Sequence, residues 1–255
     1  MIDIKRLTKK KIVLVTGSTR GIGFAIAKRF ADYGYFVVLN GRERHALNLA
    51  TAEIEKTGIP CAGACGDVGD PKFVKGLFIS LEKIAAEYGY EHPIDILVNN
   101  AGISKLGLIQ DMTDDDWNEI VRSNLTGVFN TCRAAVPRMV KAQSGKIINI
   151  SSVWGCVGAS CEVAYSATKG GVNALTKALA KELAPSGISV NALALGAIDT
   201  RMNSFMDAEE KKNLLEEIPA GRMGTPDEVA DLVLKLARTG AYLTGEVIRF
   251  DGAWI

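Results

Sequence analysis

Residues 11–23 of the chain, KIVLVTGSTRGIG, contain the pattern that decides the fold. The apolar run IVLV predicts a short buried strand, and the amphipathic stretch that follows Gly21 predicts a helix. Between them is a turn with the spacing Gly-x3-Gly-x-Gly, in which glycine permits a positive φ and the close approach of another backbone. Because the N-terminus of a helix exposes N–H groups, this turn could hold a pyrophosphate; a tight strand-to-helix connection is the alternative.

The alternation of strand and helix continues to the end of the chain. Further apolar or β-branched runs occur at residues 35–39, 62–65, 94–98, 146–150, 189–194 and 246–250. Longer amphipathic stretches separate them, and one helix is expected over residues 114–142. Alternation of this kind predicts parallel strands joined by right-handed crossovers. We therefore predict an α/β fold: residues 1–255 form a single domain, a doubly wound Rossmann-type parallel sheet of about seven strands with helices on both faces.

Composition and charge exclude several classes of protein. The net charge of the 255 residues is +1, which provides no basic surface for nucleic acid or an anionic membrane. No apolar run approaches the roughly 20 residues of a membrane span. The five cysteines lack the CxxC spacing of a metal or redox motif, so we expect reduced thiols, no metal site and a cytoplasmic location.

The end of the second strand indicates which cofactor the glycine turn would hold. Folds that bind NAD place an acidic residue there, against the ribose 2′-hydroxyl. This chain has Asn40, Gly41 and Arg42 instead. A guanidinium forms charge-assisted hydrogen bonds to phosphate, so Arg42, with Arg20 of the glycine turn, favours NADP(H) over NAD. Two solvated surface arginines are the alternative interpretation.

Polar residues gather where the carboxyl ends of the strands should meet. Asn99 follows the fourth strand and Ser152 the fifth, while Asn124 occupies a helix interior, where asparagine is not favoured. Tyr165 and Lys169 are four residues apart, so they share one face of a predicted helix. A nearby ammonium lowers the pKa of a phenol, which predicts a tyrosine that acts as general acid or base near neutral pH.

Taken together, these segments resemble the short-chain dehydrogenase/reductase family in order and spacing. The matching motifs are TGSTRGIG at residues 16–23, NNAG at 99–102, Asn124, Ser152, YSATK at 165–169 and Asp251-Gly252. The resemblance covers essentially the whole chain and implies an NADP-dependent oxidoreductase that moves a hydride between the nicotinamide and a carbonyl/alcohol pair. A protein that only senses NADP(H) is the non-enzyme alternative, which the Tyr/Lys pair disfavours.

The resemblance also implies roles for individual residues. Tyr165 would be the general acid/base, and Ser152 would orient and polarise the carbonyl. Lys169 would lower the pKa of Tyr165 and bind the nicotinamide ribose, while Asn124 would help to hold a water in the proton relay. The implied cofactor-binding residues are Gly17, Ser18, Thr19, Arg20, Gly21, Ile22, Gly23, Arg42, Asp67, Val68, Asn99, Ala101, Gly102, Tyr165, Lys169, Gly196, Ile198 and Thr200.

Two positions depart from the family pattern. Leu195 stands where the family usually has proline before Gly196, so the nicotinamide loop is expected to be looser. Ala253 stands where a second glycine is commoner after Asp251-Gly252. Neither residue belongs to the catalytic group, so the expected reaction class is unaffected.

The substrate side of the site is expected between the sixth strand and the last helix. By resemblance, residues 199–225 form a lid, although a helix packed on the core would have a similar sequence. The candidate substrate contacts are Ser152, Trp154, Glu162, Tyr165, Met202 and Met206. Glu162 has two interpretations: it meets a cationic group of the substrate, or it is an acid favoured by the dipole at a helix N-terminus.

The resemblance is strongest to the 3-oxoacyl-[acyl-carrier-protein] reductase branch, which implies a small-molecule or acyl-carrier-linked carbonyl substrate. Residues 158–163, 177–185 and 198–202 also resemble reductases of the 5-aminopentanone modification on elongation factor P. A hydroxysteroid dehydrogenase is a further alternative, because substrate pockets vary on this scaffold. The family is commonly tetrameric, so a homotetramer, or a homodimer, is expected.

Overall fold

Seven parallel strands form one sheet in the computed structural model, which describes residues 11–201 and 206–255. The strands are β1 (Ile12–Val15), β2 (Phe36–Gly41), β3 (Cys61–Cys65), β4 (Ile96–Asn99), β5 (Gly145–Ser152), β6 (Ile188–Leu195) and β7 (Val247–Phe250). Their order across the sheet is β3-β2-β1-β4-β5-β6-β7. The chain runs outward from β1 to one edge and from β4 to the other, so the predicted doubly wound sheet is confirmed.

Helices cover both faces of the sheet. They are α1 (Gly21–Asp32), α2 (Arg44–Glu55), α3 (Pro71–Tyr88), α4 (Asp114–Val121), α5 (Gly127–Ala142), α6 (Trp154–Val157), α7 (Val163–Leu183), α8 (Ala208–Glu217) and α9 (Pro226–Arg238). Successive strand residues point to opposite faces: Val13 and Val15 pack with α1, α2 and α9, whereas Ile12 and Leu14 pack with α3, α5 and α7. Both faces are therefore apolar, as parallel sheets require.

The helix expected over residues 114–142 is interrupted. A π-helical turn, Arg122–Thr126, separates α4 from α5. Asn124 lies in this turn, fully buried, and its side chain pairs with the backbone of Ile103: the Ile103 N–H donates to Oδ1 and Nδ2 donates to the Ile103 carbonyl, each at 2.8 Å. Single π turns inside helices often occur at functional sites. The sequence pattern did not predict this turn, because a π turn adds only one residue and barely changes the spacing of apolar residues along the helix.

The chain ends in a strained turn after β7. Ala253 has a φ of +67°, a conformation that side chains with a Cβ rarely adopt. Asp251 holds the turn, because its carboxylate accepts hydrogen bonds from the Ala253 N–H at 3.0 Å and the Ile255 N–H at 3.3 Å. The turn directs Trp254 onto Trp154, with 4.9 Å between the ring centroids. The family's commoner glycine at position 253 thus has a conformational reason here.

We predict that Ala253→Gly raises the free energy of unfolding by about 0.5–1 kcal/mol, because relief of the left-handed strain outweighs the added freedom of the unfolded chain. Urea unfolding measures the change. Ala86→Gly, at an exposed position inside α3, is the matched control and should lower the same free energy by about 1 kcal/mol. Destabilisation by both substitutions would contradict the prediction.

Candidate active site

The glycine turn after β1 has two different sides. At Gly23 it is packed too tightly to admit a side chain, whereas at Gly21 it is open. A Cβ at Gly23 would lie 2.3 Å from the Gly17 carbonyl oxygen and 2.4 Å from Asn100 Nδ2. A Cβ at Gly21 would meet nothing closer than Thr200 Cγ2, at 3.9 Å. The open side of the turn therefore faces the loop that carries Thr200.

Asn100 and Thr16 connect this turn to the end of β4. Asn100 Nδ2 donates to the carbonyl oxygens of Thr16 at 3.0 Å and Gly17 at 2.9 Å. Thr16 Oγ1 in turn accepts from the N–H groups of Asn100 and Ala101, both at 3.0 Å. Neither Thr16 nor Asn100 was predicted as a site residue, although both lie inside the quoted motifs.

The open side of the turn fits the diphosphate of a dinucleotide. Arg20, the N-cap residue of α1, makes no side-chain capping hydrogen bond, and the first turn of α1 contains no acid. Within the described part of the chain, the first N–H groups of α1 thus have no side-chain acceptor, and the helix dipole favours an anion there. Farther along the cleft, a Cβ at Gly102 would lie 3.2 Å from Asn124 Oδ1 and 3.6 Å from Lys169 Nζ. The cleft thus runs from α1 to the candidate catalytic residues.

Two predicted cofactor-binding residues have side chains in the core. Ser18 is fully buried: its hydroxyl donates to the Val15 carbonyl at 2.8 Å and accepts from the Asn40 N–H at 3.0 Å. Asn99 donates to Asn149 Oδ1 at 2.8 Å and accepts from the Thr131 hydroxyl at 2.7 Å. Both side chains are used to hold the strands together. With these side chains engaged in the core, the backbone of Ser18 and Asn99 is what remains to contact a cofactor, and their cofactor role stays a prediction.

Two ion pairs lie where the adenosine end of the cofactor is expected. Arg42 NH1 is 3.7 Å from Glu119 Oε1, and both side chains are more than half exposed. Asp67 Oδ2 is 2.9 Å from Arg122 NH2. Thr19 lies against the end of β2, because a Cβ at Gly41 would be 2.3 Å from Thr19 Cγ2. The predicted residues Thr19 and Arg42 are therefore neighbours, and Val68 beside Asp67 is buried.

The loop after β6 is held in place despite Leu195. Leu195 pairs with Phe250 of β7 as the last residue of the strand. Beyond it, the Gly224 N–H donates to the Ala197 carbonyl and the Asp199 N–H donates to the Gly224 carbonyl, each at 2.9 Å. These bonds form a bridge that fixes Ile198, which is buried. We expected a looser loop because the proline is missing, but these hydrogen bonds indicate a loop that is fixed.

The four predicted catalytic residues come together beside this loop. Lys169 Nζ lies 5.5 Å from the ring centroid of Tyr165 and donates to the Ile150 carbonyl at 2.8 Å. The Ser152 hydroxyl forms a hydrogen bond with the Tyr165 side chain and accepts from the Trp154 N–H at 3.2 Å. Asn124 reaches the same helix, since its Nδ2 donates to Thr168 Oγ1 at 3.3 Å. The set combines a hydroxyl, a phenol and an ammonium at one point of the cleft.

Comparison with known proteins agrees with this geometry. The family model of short chain dehydrogenases matches residues 11–211. The chain belongs to the short chain dehydrogenase family. It is 42% identical over 244 residues to 3-oxoacyl-[acyl-carrier-protein] reductase of Aquifex aeolicus, covering 95% of this chain and 96% of that protein. The enzyme of the same name from Escherichia coli K12 is 40% identical over 243 residues, with 95% and 96% covered.

A solved structure extends the similarity to three dimensions. The 3-oxoacyl-[acyl-carrier protein] reductase of Brucella melitensis superposes with a TM-score of 0.87 at 33% sequence identity, and the match covers 100% of this chain and 97% of that one. The family consists of oxidoreductases that use a nicotinamide cofactor. This short chain dehydrogenase is thus an oxidoreductase of the CH–OH/C=O type, as predicted.

Burial displaces the pKa values of the candidate catalytic residues Tyr165 and Lys169 in opposite directions. Loss of water, reinforced by the negative charge of Glu162 and opposed by the hydrogen bond from Ser152, raises the pKa of Tyr165 to about 12. Burial lowers the pKa of Lys169 to about 8. Burial dominates the shift of the Tyr165 pKa, and the expectation that Lys169 lowers this pKa stays a prediction. A phenol of this kind remains protonated at neutral pH and can donate its proton.

A cavity of about 650 Å³ lies between the loop that precedes α7 and helix α8. It contains three of the predicted substrate contacts, Trp154, Glu162 and Met206, whereas Met202 lies outside the described residues. Its lining residues are Trp154, Gly158, Ala159, Ser160, Glu162, Met206, Glu210, Asn213, Leu214, Glu217 and Trp254. Among these described residues there are three carboxylates and no lysine or arginine.

Residues 11–201 and 206–255 contain neither a membrane-spanning helix nor a cluster of metal-binding side chains. No helix in these ranges combines the length and apolar character that a membrane crossing requires. The same ranges contain no group of three or more His, Cys, Asp or Glu residues that could hold a metal ion. All five cysteines fall within the ranges, and all five are free thiols.

Proposed function

We propose that the protein is an NADPH-dependent carbonyl reductase that acts on 3-oxoacyl thioesters, as 3-oxoacyl-[acyl-carrier-protein] reductases do. The observation that carries the proposal is the contact of the Ser152 hydroxyl with the Tyr165 phenol, with Lys169 behind them. Relatives of that name, 38–42% identical over almost the whole chain, support the choice of substrate class.

The chain's own residues would bind the substrate carbonyl and supply its proton. Ser152 would donate a hydrogen bond to the carbonyl oxygen and orient it toward Tyr165. Tyr165, protonated at neutral pH, would transfer its proton to that oxygen as the alcohol forms. The ammonium of Lys169 would stabilise the phenolate that remains. When bound, NADPH supplies a hydride to the carbonyl carbon.

Asn124 and the glycine turn would position the cleft wall and the cofactor rather than transfer protons. Asn124 fixes the backbone of Ile103 through two hydrogen bonds of 2.8 Å, and so fixes the cleft wall next to Lys169. The uncapped N–H groups at the start of α1 would hold the cofactor diphosphate. The remaining predicted cofactor contacts, Ala101, Gly102, Gly196, Ile198 and Thr200, border the same cleft in our proposal.

For the cofactor, we propose NADP(H) rather than NAD(H) because Arg42 follows β2 where an acid would favour NAD. We predict that Arg42→Ala weakens NADPH binding roughly tenfold or more and leaves NADH binding nearly unchanged, since charge-assisted hydrogen bonds to the 2′-phosphate are lost. Fluorescence titration of each cofactor measures this. Arg133→Ala, an arginine on α5, is the control and should alter neither affinity. Equal weakening of both cofactors by Arg42→Ala would refute the assignment.

A second candidate substrate is favoured by the acidic cavity. Glu162, Glu210 and Glu217 line it without a lysine or arginine among the described lining residues. Such a wall suits a carbonyl compound that also carries an ammonium group, and the 5-aminopentanone modification of elongation factor P is one. The first candidate would place a thioester in the same cavity, against Trp154 and Leu214.

Turnover of NADPH with three substrates distinguishes these candidates: an acetoacetyl thioester, a steroid ketone, and elongation factor P carrying the 5-aminopentanone. We expect turnover of the thioester; turnover of the modified protein alone would replace it by the second candidate.

Tyr165→Phe should lower turnover roughly 100- to 10,000-fold while NADPH still binds, because the proton donor is lost. Tyr242→Phe, at a fully exposed tyrosine, should have no effect. Full activity of Tyr165→Phe would reject the mechanism.

We propose that the protein assembles as a homotetramer or homodimer. Exposed apolar side chains on α4 and α5 support this, with Trp117 43% and Phe129 47% exposed. Light scattering after size-exclusion chromatography should give two or four times the mass of 27.3 kDa. A monomer at micromolar concentration would contradict the expectation.

Three further expectations remain predictions. A single domain over residues 1–255 agrees with the one sheet that the described residues form. A lid at residues 199–225 agrees with the position of Met206 and Leu214 on the cavity wall. A cytoplasmic location agrees with five free thiols, since disulfides are rare in reducing compartments.

A further inference from the structure

Glu162 occupies the N-cap position of α7 but does not cap the helix. Its backbone has φ −131° and ψ 37°, and its side chain accepts no capping hydrogen bond. The carboxylate instead accepts a hydrogen bond from the Ser104 hydroxyl at 2.5 Å. Glu162 therefore does not cap α7 through a hydrogen bond, although its position at the helix N-terminus is one that the helix dipole favours for an acid.

The bond between Ser104 and Glu162 joins the two loops that border the catalytic group. One loop, residues 100–108, follows β4; the other, residues 158–162, precedes α7. A second link lies beside it, since the Gly107 N–H donates to the Cys161 carbonyl at 2.9 Å. Cys161 has a φ of +60°, an unfavourable conformation for a residue with a Cβ, which persists only when neighbouring contacts hold it.

Both loops make direct contacts with the catalytic machinery. Ile103, next to Ser104, forms two backbone hydrogen bonds with the side chain of Asn124. On the other loop, the Ala159 N–H donates to the hydroxyl of Ser166, the residue after Tyr165, at 3.1 Å. A displacement of either loop would therefore reach the catalytic residues.

We propose, on the basis of the proposed role of Tyr165 as proton donor, that Glu162 is a positioning residue for that tyrosine. Its hydrogen bond with Ser104 fixes the loop at which α7 begins, and its negative charge acts on the Tyr165 hydroxyl. The carboxylate thus has a role in the reaction that is independent of any charge on the substrate.

The charges around Tyr165 single out Glu162. It raises the pKa of Tyr165, second in effect only to burial. On α7, the ammonium of Lys169 lies 5.5 Å from the ring centroid. On the neighbouring loop and α4, Lys105 and Asp116 form an ion pair with each other at 2.5 Å. Across the cavity, α8 contributes Glu210 and Glu217. Neither of these two acids contributes appreciably to the pKa of Tyr165.

Three variants separate the charge of Glu162 from its hydrogen bond. Glu162→Gln removes the charge but keeps an oxygen that can accept from Ser104, whereas Ser104→Ala removes the donor and keeps the charge. Glu217→Gln is the matched control, because it neutralises an acid on the opposite wall of the same cavity. The ionisation of Tyr165 is read from tyrosinate absorbance, as the difference between each variant and the same variant with Tyr165→Phe.

We expect tyrosinate to form about half a pH unit or more lower in Glu162→Gln, the order of effect of one nearby charge in a water-like dielectric. The titration should be unchanged in Ser104→Ala and Glu217→Gln. Hydrogen exchange of residues 158–162 should be about tenfold faster in Ser104→Ala, the factor for one lost hydrogen bond to a charged group. In Glu162→Gln, exchange should rise less.

Two results would overturn the inference. A tyrosinate titration of Glu162→Gln that coincides with the wild type would mean that the carboxylate does not act on Tyr165. Equal shifts in Glu162→Gln and Ser104→Ala would mean that a loosened loop, rather than the charge, alters the tyrosine. Both measurements use the protein without substrate. Their results therefore do not depend on whether any compound of the substrate panel is turned over.

Discussion

The pairing of β1 with β4 is the constraint on which the site depends. The two strands are adjacent and parallel, with Val13, Leu14 and Val15 opposite Ile96, Leu97 and Val98. Because the chain leaves this pair in opposite directions, no crossover covers the carboxyl ends between them. The glycine turn after β1 and the Asn100 loop after β4 therefore open into one crevice, where two short hydrogen-bonded side chains, Thr16 and Asn100, lock them together.

The same crevice places an ammonium and a phenol away from water. Lys169 is almost fully buried and has a backbone carbonyl, not a carboxylate, as its partner. An unpaired buried cation is costly, so its pKa falls, while the pKa of the buried phenol rises. The resulting pair consists of a firmly protonated acid next to a cation that is ready to stabilise its conjugate base.

Much of this architecture was predictable because local chemistry and global fold agree. Apolar runs, a glycine turn and the Tyr165/Lys169 spacing indicated the sheet, the cleft and the helix that carries the proposed proton donor. The orientation of side chains was harder to predict. Ser18 and Asn99 lie at the expected strand ends, but their side chains point into the core. The π turn at Asn124 and the link between Ser104 and Glu162 depend on contacts between distant segments, which periodicity does not encode. The sign of the Tyr165 shift needed the degree of burial, which only the packed structure supplies.

The contact between Trp154 and Trp254 has a practical consequence. The chain contains only three tryptophans, and two of them face each other on the cavity wall, while Trp117 lies on the exposed surface of α4. Indole emission responds to polarity and to neighbouring groups, and two of the three emitting side chains lie beside this cavity. We therefore expect the intrinsic fluorescence to change when this cavity is occupied, even by a colourless compound that leaves NADPH unconsumed.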